Sequence, residues 1–147
     1  MRIVYGQDAV VADWAGEMLG LQFSAPYVAI GFSRDGMGLH GAAVFNGWNG
    51  SNIDLTVYGP GPWTRGCLAA VFGYVFNQLG ARRLTVRTAR GNKSMLRLLP
   101  RLGFAFEGVA RRWYGPNKRD DGVQFAMYPE RAAKWMPHGL AIAARAA

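Results

Sequence analysis

The segment from Arg83 to Arg111 constrains the fold more than any other part of the chain. Arg83-Leu84-Thr85-Val86-Arg87-Thr88-Ala89 largely alternates polar and apolar residues, the period of a strand with one face in a core. Asn92 follows, a residue type that accepts amide hydrogen bonds at a helix start. Lys93 to about Arg101 predicts a short helix, closed by Leu102-Gly103-Phe104, where glycine suits the C-terminal stop and Phe104 returns to the core. Pro100 lacks a backbone donor and predicts a bend or an early end there. A new strand is expected from Phe104 to Trp113.

The remaining elements fit around this unit. Ile3-Val4-Tyr5 predicts a short strand, and Asp8 a cap for a helix to about Leu19, with Val10, Val11, Trp14 and Leu19 on one face. Gly20 suits its end. Tyr27 to Phe32 and Leu39 to Phe45 predict two strands about the turn Ser33-Arg34-Asp35-Gly36. Asn52 to Tyr58 alternates as a third strand, and Gly59-Pro60-Gly61-Pro62 breaks the chain after it. Leu68, Val71, Phe72, Val75, Phe76 and Leu79 recur at helical spacing over 64–79. A last strand is expected from Val123 to Tyr128, followed by an Ala-rich, helical tail interrupted at Pro137. The 147 residues suit one domain, expected over 1–130, with the tail over 131–147.

The pattern Asn92, ten intervening residues, Gly103-Phe104, two residues, Glu107-Gly108, two residues, Arg111 resembles the C-terminal half of the GNAT N-acetyltransferases. The similarity is closest to the branch of ribosomal-protein and small-amine acetyltransferases, and it extends over about Tyr27 to Tyr128. It implies an α/β (α+β) fold: a mixed, mainly antiparallel sheet with one splayed parallel strand pair, flanked by helices. It also implies transfer of an acetyl group from acetyl-CoA directly to a primary amine of a protein or small molecule. The family usually carries two helices between its first two strands, walling the acceptor pocket. Only one fits here, so an open acceptor side is expected.

The resemblance places the cofactor pyrophosphate at a helix N-terminus, where free N–H groups and the helix dipole favour an anion. The corresponding residues are Arg65, Gly66, Cys67, Leu68, Ala69 and Ala70, with Leu68 where the family has glycine. These residues also read as a core helix capped by Thr64. The family's pantetheine arm pairs with the strand before this break, here at Leu55, Val57 and Tyr58, like an added strand. An N–H of that strand polarises the thioester carbonyl. Asn92 corresponds to the residue that contacts the arm, and it equally reads as a helix cap. The serine of many relatives is replaced by Met95, with Ser94 one position early.

Direct transfer needs a neutral amine and an acid for the leaving thiolate. Asp54, on the strand before the break, is the leading base candidate; it also reads as an exposed position on an alternating strand. Tyr58 and Tyr114 read either as acids and acceptor walls or as half-buried aromatics. Glu107 is expected to pair locally with Arg111 or Arg112. His40 reads as a satisfied structural histidine, Cys67 as a small buried helix residue, and Asp120 and Asp121 as turn residues. His138 has no evident partner.

Composition narrows the partners. One cysteine excludes an internal disulfide and fits a reducing, cytoplasmic setting. Two histidines and one cysteine, far apart, argue against a metal site. No apolar run has the length of a membrane span. Net charge is +8, and eleven of the seventeen Lys and Arg residues fall between Arg82 and Arg119, against one acid, Glu107. Such a field attracts anions. It reads as a solvated face, as a site for the phosphates of coenzyme A, or as a nucleic-acid surface. Aromatic residues do not interleave the cations as a stacking platform needs, which disfavours nucleic acid. The alternatives are a non-catalytic binding module of the same fold, or an acyltransferase that modifies nucleic acid. A monomer or homodimer suits either. The basic face and short front end favour an acidic or large acceptor.

Overall fold

The computed structural model describes residues 2–34, 38–59 and 63–137. Asp35 and Gly36 of the expected turn, Pro60, Gly61 and Pro62 of the expected break, His138 and the remaining tail lie outside them. Strand β1 (Arg2–Val4), helix α1 (Asp8–Leu19), β2 (Tyr27–Ser33), β3 (Leu39–Asn46) and β4 (Asn52–Tyr58) come first. Helix α2 (Arg65–Phe72) then continues as a π-helical stretch, Gly73–Gln78, before β5 (Arg83–Ala89) and α3 (Lys93–Leu102). Strands β6 (Ala105–Ala110) and β7 (Gly122–Met127) and the short α4 (Pro129–Ala132) follow. The strands form one seven-stranded sheet in the order β1-β2-β3-β4-β5-β7-β6. Only β4 and β5 are parallel; every other pair is antiparallel. The expected α/β architecture, mainly antiparallel with one parallel pair, is therefore what forms.

Alternation assigns the two faces of the sheet. Ile53, Leu55, Leu84 and Val86 turn to the face covered by α2 and α3, where Leu68, Val71, Phe72, Phe76 and Leu99 complete the main core. Ala29, Ala42 and Val44 turn to the other face and pack under Val11, Ala12 and Ala15 of α1. Only α1 lies between β1 and β2, as the sequence predicts.

Several expectations need correction. Asp8 is not the cap of α1: Gln7 holds that position, and Asp8 Oδ1 accepts from the Ala29 amide at 3.0 Å, tying the helix to β2. Val10 and Leu19 face solvent; the buried stripe is Val11, Ala12, Ala15 and Gly16, because small residues let α1 lie close to the sheet. Helix α3 runs two residues past Pro100, to Leu102, and Gly103 (φ +109°) stops it. Strand β6 ends at Ala110, short of Trp113, because Arg112 takes a left-handed φ of +57° and its amide donates to Asp121 Oδ1 at 2.9 Å. The main core also takes in side chains just past residue 130. Ala132 and Met136 are buried in the main core, and Trp135 Nε1 donates to the Leu102 carbonyl at 2.7 Å.

Candidate functional site

The parallel pairing of β4 and β5 runs from Asn52↔Arg83 to Leu55↔Val86 and stops there. Beyond it β4 pairs only with β3, through Thr56, Val57 and Tyr58. Beyond it β5 pairs only with β7, through Arg87, Thr88 and Ala89. The strands thus diverge, and backbone groups of both that point into the gap have no strand partner. A cleft of about 710 Å³ opens at this point. Register places its lining on two sides. On the α2–α3 side are Leu55, Val57, Trp63, Val86, Asn92 and Met95; on the α1 side are Leu19, Leu21, Asp54, Tyr58, Thr85 and Arg87, with Trp113 and Tyr114 at the rim.

Asp54 stands directly opposite Thr85, one step before the last pair, Leu55↔Val86. Its Oδ1 accepts from Asn52 Nδ2 at 3.0 Å. Gly47 makes room for the other oxygen: at φ +71°, a Cβ there would lie 2.9 Å from Asp54 Oδ2. The Asn52 amide is itself oriented, since its Oδ1 accepts from Thr85 Oγ1 at 2.5 Å and from Arg83 Nε at 3.1 Å. Arg83 is held in turn by a two-pronged pair with Glu107, one prong at 2.9 Å. Tyr128 and Gln124 also donate to Glu107, at 2.7 and 3.2 Å. The Arg83 guanidinium, with these donors, brings the Glu107 carboxyl down to about 2. Glu107 therefore pairs across the sheet with Arg83, not locally with Arg111 or Arg112. Strand β6 carries a bulge between Phe106 and Gly108, which lets the intervening side chain reach over β7.

Tyr58 meets Trp14 of α1 edge to face, ring centroids 5.5 Å apart. Tyr114 OH donates to the Arg87 carbonyl at 3.2 Å, and burial pushes its hydroxyl above the usual tyrosine range. The Arg87 guanidinium lies over the Trp113 ring, 4.5 Å from its centroid, and donates to Gln124 Oε1 at 2.6 Å. Asn92 caps α3, its Oδ1 accepting from the Met95 amide at 3.4 Å and from Ser94 Oγ at 3.1 Å.

The α2 start is placed beside the cleft rather than in its wall. Trp63 lines the cleft, whereas Arg65 and Gly66 are exposed at the helix end and Ala69 and Ala70 are half-buried. Leu68 points into the core, so it does not cover the helix end. Arg65 extends over the Trp135 ring, 5.1 Å from its centroid. Cys67 is buried and accounts for its place by packing; burial pushes its thiol up. His40 departs from the expected satisfied histidine: among the described residues its Nδ1 is buried with no partner. Asp120 and Asp121 do serve the β6–β7 turn, accepting from the Asn117 and Arg112 amides.

The structure thus brings Asp54, Leu55, Val57, Tyr58 and Asn92 to one cleft and leaves Arg65 to Ala70 beside it. Sequence reasoning missed Asn52, Thr85, Arg87 and Trp113. The strand parity of Asn52, Asp54, Thr85 and Arg87 was a usable signal for the first three. For Trp113 there was none, since it reads as the end of a strand.

No protein-family model and no curated protein matches the chain. Solved structures do. A chimera of the spermidine N-acetyltransferase SpeG from Vibrio cholerae with hSSAT superposes with a TM-score of 0.69 at 13% identity, over 91% of this chain and 99% of that one. A mutant form of the spermidine/spermine N-acetyltransferase SpeG from Vibrio cholerae gives 0.64 at 15% identity, over 76% and 72%. At such identity the likeness is one of fold, and the mainly antiparallel sheet with one diverging parallel pair is the architecture that the GNAT resemblance implies. The fold of this chain is that of the GNAT N-acetyltransferases.

Proposed function

We propose that the protein is an acetyl-CoA-dependent N-acetyltransferase, moving an acetyl group directly from the thioester to a primary amine of a protein or small molecule. The observation that carries this reading is the cleft where β4 and β5 part, with a carboxylate, Asp54, in its lining one residue before the last pair. The neighbouring spermidine N-acetyltransferases support it at the level of fold.

The residues present fit the cofactor. Strand β4 beyond Leu55 has no partner on the β5 side, so an extended pantetheine arm with its amides is a natural third ribbon there. Val57, Trp63 and Met95 suit its methylenes, and Asn92 its amide groups. The exposed amides at Arg65 and Gly66 are free of side-chain cover from Leu68 and suit the pyrophosphate. When bound, acetyl-CoA supplies the acyl carbon: the amine nitrogen bonds to it, the C–S bond breaks, and the sulfur leaves with a proton. Asp54 receives the amine proton, directly or through water. Tyr58, on the same strand face, donates to the departing sulfur. Backbone N–H groups of Thr56 to Tyr58 that face the gap polarise the carbonyl. Leu19, Leu21 and Tyr114 line the α1 side and the rim, where the acceptor would meet the cleft.

The test is turnover and binding together. Asp54→Asn should lower kcat by about 10²-fold or more, the usual share of a general base, while calorimetric affinity for acetyl-CoA stays within a factor of two or so. Unchanged turnover removes Asp54 from the role. An absence of acetyl-CoA binding, with salt-dependent oligonucleotide binding instead, would favour a binding module and sink the enzymatic reading.

A further inference from the structure

The α1 side of the cleft carries one carboxylate, Asp54, and one guanidinium, Arg87. Glu107, which reaches over β7 to the same face, is consumed by its two-pronged pair with Arg83. Arg87 is different. Among the described residues the ion pairs are Arg83–Glu107 and Arg90–Asp121, so no carboxylate answers Arg87. Among the described residues its side-chain hydrogen bond goes to neutral Gln124. A guanidinium has five N–H donors in a planar fork, and stacking on an aromatic face leaves the edge of that fork open.

The fold makes specific room for this arrangement. Gly122, directly across from Ala89 on β7, has Trp113 and Arg87 against it: a Cβ there would lie 2.9 Å from Trp113 Cβ and 3.0 Å from Arg87 Cδ. Tyr114 holds the neighbouring backbone through the Arg87 carbonyl. Arg87 is thus a half-buried cation in a fitted seat in the cleft lining, without a counter-charge among the described residues. Along β5 it stands two residues beyond Thr85, which is opposite Asp54; that interval is about 6.6 Å at strand rise.

From this we infer that the acceptor is a primary amine that also carries a carboxylate within a few bonds, its amine at Asp54 and its carboxylate on the open edge of Arg87. The inference rests on the acetyltransferase reading and specifies the substrate of that site. It sets this chain apart from a polyamine acetyltransferase. A polyamine bears a positive charge at each amine near neutral pH, and here it meets a single carboxylate, an unpaired guanidinium and a chain of net charge +8. Like charges facing each other across a binding site penalise the wrong partner. The same amine-and-carboxylate chemistry occurs in a free amino acid and in the acidic first residue of a peptide.

The experiment measures acetyl transfer with the full chain across a matched panel. It contains free glycine, β-alanine and glutamate, the corresponding amides, a short peptide beginning with Glu, the same peptide beginning with Gln, and spermidine. Carboxylate-bearing acceptors should exceed their amides in kcat/KM by about tenfold to a hundredfold, the span of one charge-assisted pair, and should exceed spermidine. Preference confined to free amino acids or to the Glu peptide identifies the source. Arg87→Gln should erase the ratio between each acid and its amide, a comparison made within one variant and so insensitive to how much of it is folded. Equal rates for acid and amide, spermidine as the best acceptor, or no turnover with any carboxylate-bearing amine overturns the inference in the wild-type protein alone. Failure to bind acetyl-CoA sinks the underlying function as well; binding and transfer without carboxylate preference sink only this step.

Discussion

The pair between Arg83 and Glu107 allows a quantitative test through Glu107→Gln. The wild-type carboxyl titrates at about 2 instead of its ordinary 4.5, a difference that corresponds to about 3.4 kcal/mol at 1.36 kcal/mol per unit. That figure is an upper bound. The side chains are 28% and 20% exposed, and solvent screening with the entropy of holding both reduces the net to about 1–2 kcal/mol. Glutamine keeps the shape and one acceptor, and removes the charge together with one of the two acceptors of the Arg83 fork. The sign follows from linkage: a carboxyl lowered in the folded state contributes stability above its unfolded value and loses it as pH falls toward its folded value. Wild type and variant should differ by about 1–2 kcal/mol at pH 7, or about 3–8 °C in Tm for a chain of this size. The gap should close between about pH 4.5 and 2. Urea melts at several pH values, read by far-UV circular dichroism, measure it. A gap that stays constant down to pH 2, or is absent at pH 7, refutes the electrostatic account.

Two further perturbations probe the packing around the cleft. Cys67, buried with its thiol pushed up, should react with a thiol reagent only at the rate of unfolding, so that rate should jump at the urea midpoint; prompt labelling of native protein would contradict its burial. Gly122→Ala forces a methyl against Trp113 and Arg87. It should destabilise by about 1–3 kcal/mol and shift tryptophan emission, with circular dichroism unchanged; an unaltered spectrum and midpoint would show that the stack yields without cost.

Much of the fold was legible because hydrophobic period reports which face of an element is buried. The Asn52 to Tyr58 and Arg83 to Ala89 strands fall where alternation places them. Asn92 and Gly103 bracket α3 because caps act within one turn of the chain. Period says less where the buried stripe is made of small residues. Helix α1 rests on Ala12, Ala15 and Gly16, while the larger Val10 faces water. The candidate site was legible only in part. Asp54, Tyr58 and Tyr114 were singled out from their places along the chain, but the loop after β6 carried no local sign that Trp113 lines the cleft.

Local chemistry alone therefore determined most of the elements, their order and the buried faces of the strands, since each depends on neighbours within a few residues. Only the tertiary structure decided that Glu107 serves Arg83, 24 positions away, because that pairing depends on sheet order β5-β7-β6 and on a bulge that carries one side chain over a strand. It likewise decided that, among the described residues, Arg87 is left without a counter-charge. Whether a charge is paired is settled by the space around it, and that space is assembled from β5, β7 and the loop after β6 only once the sheet has closed.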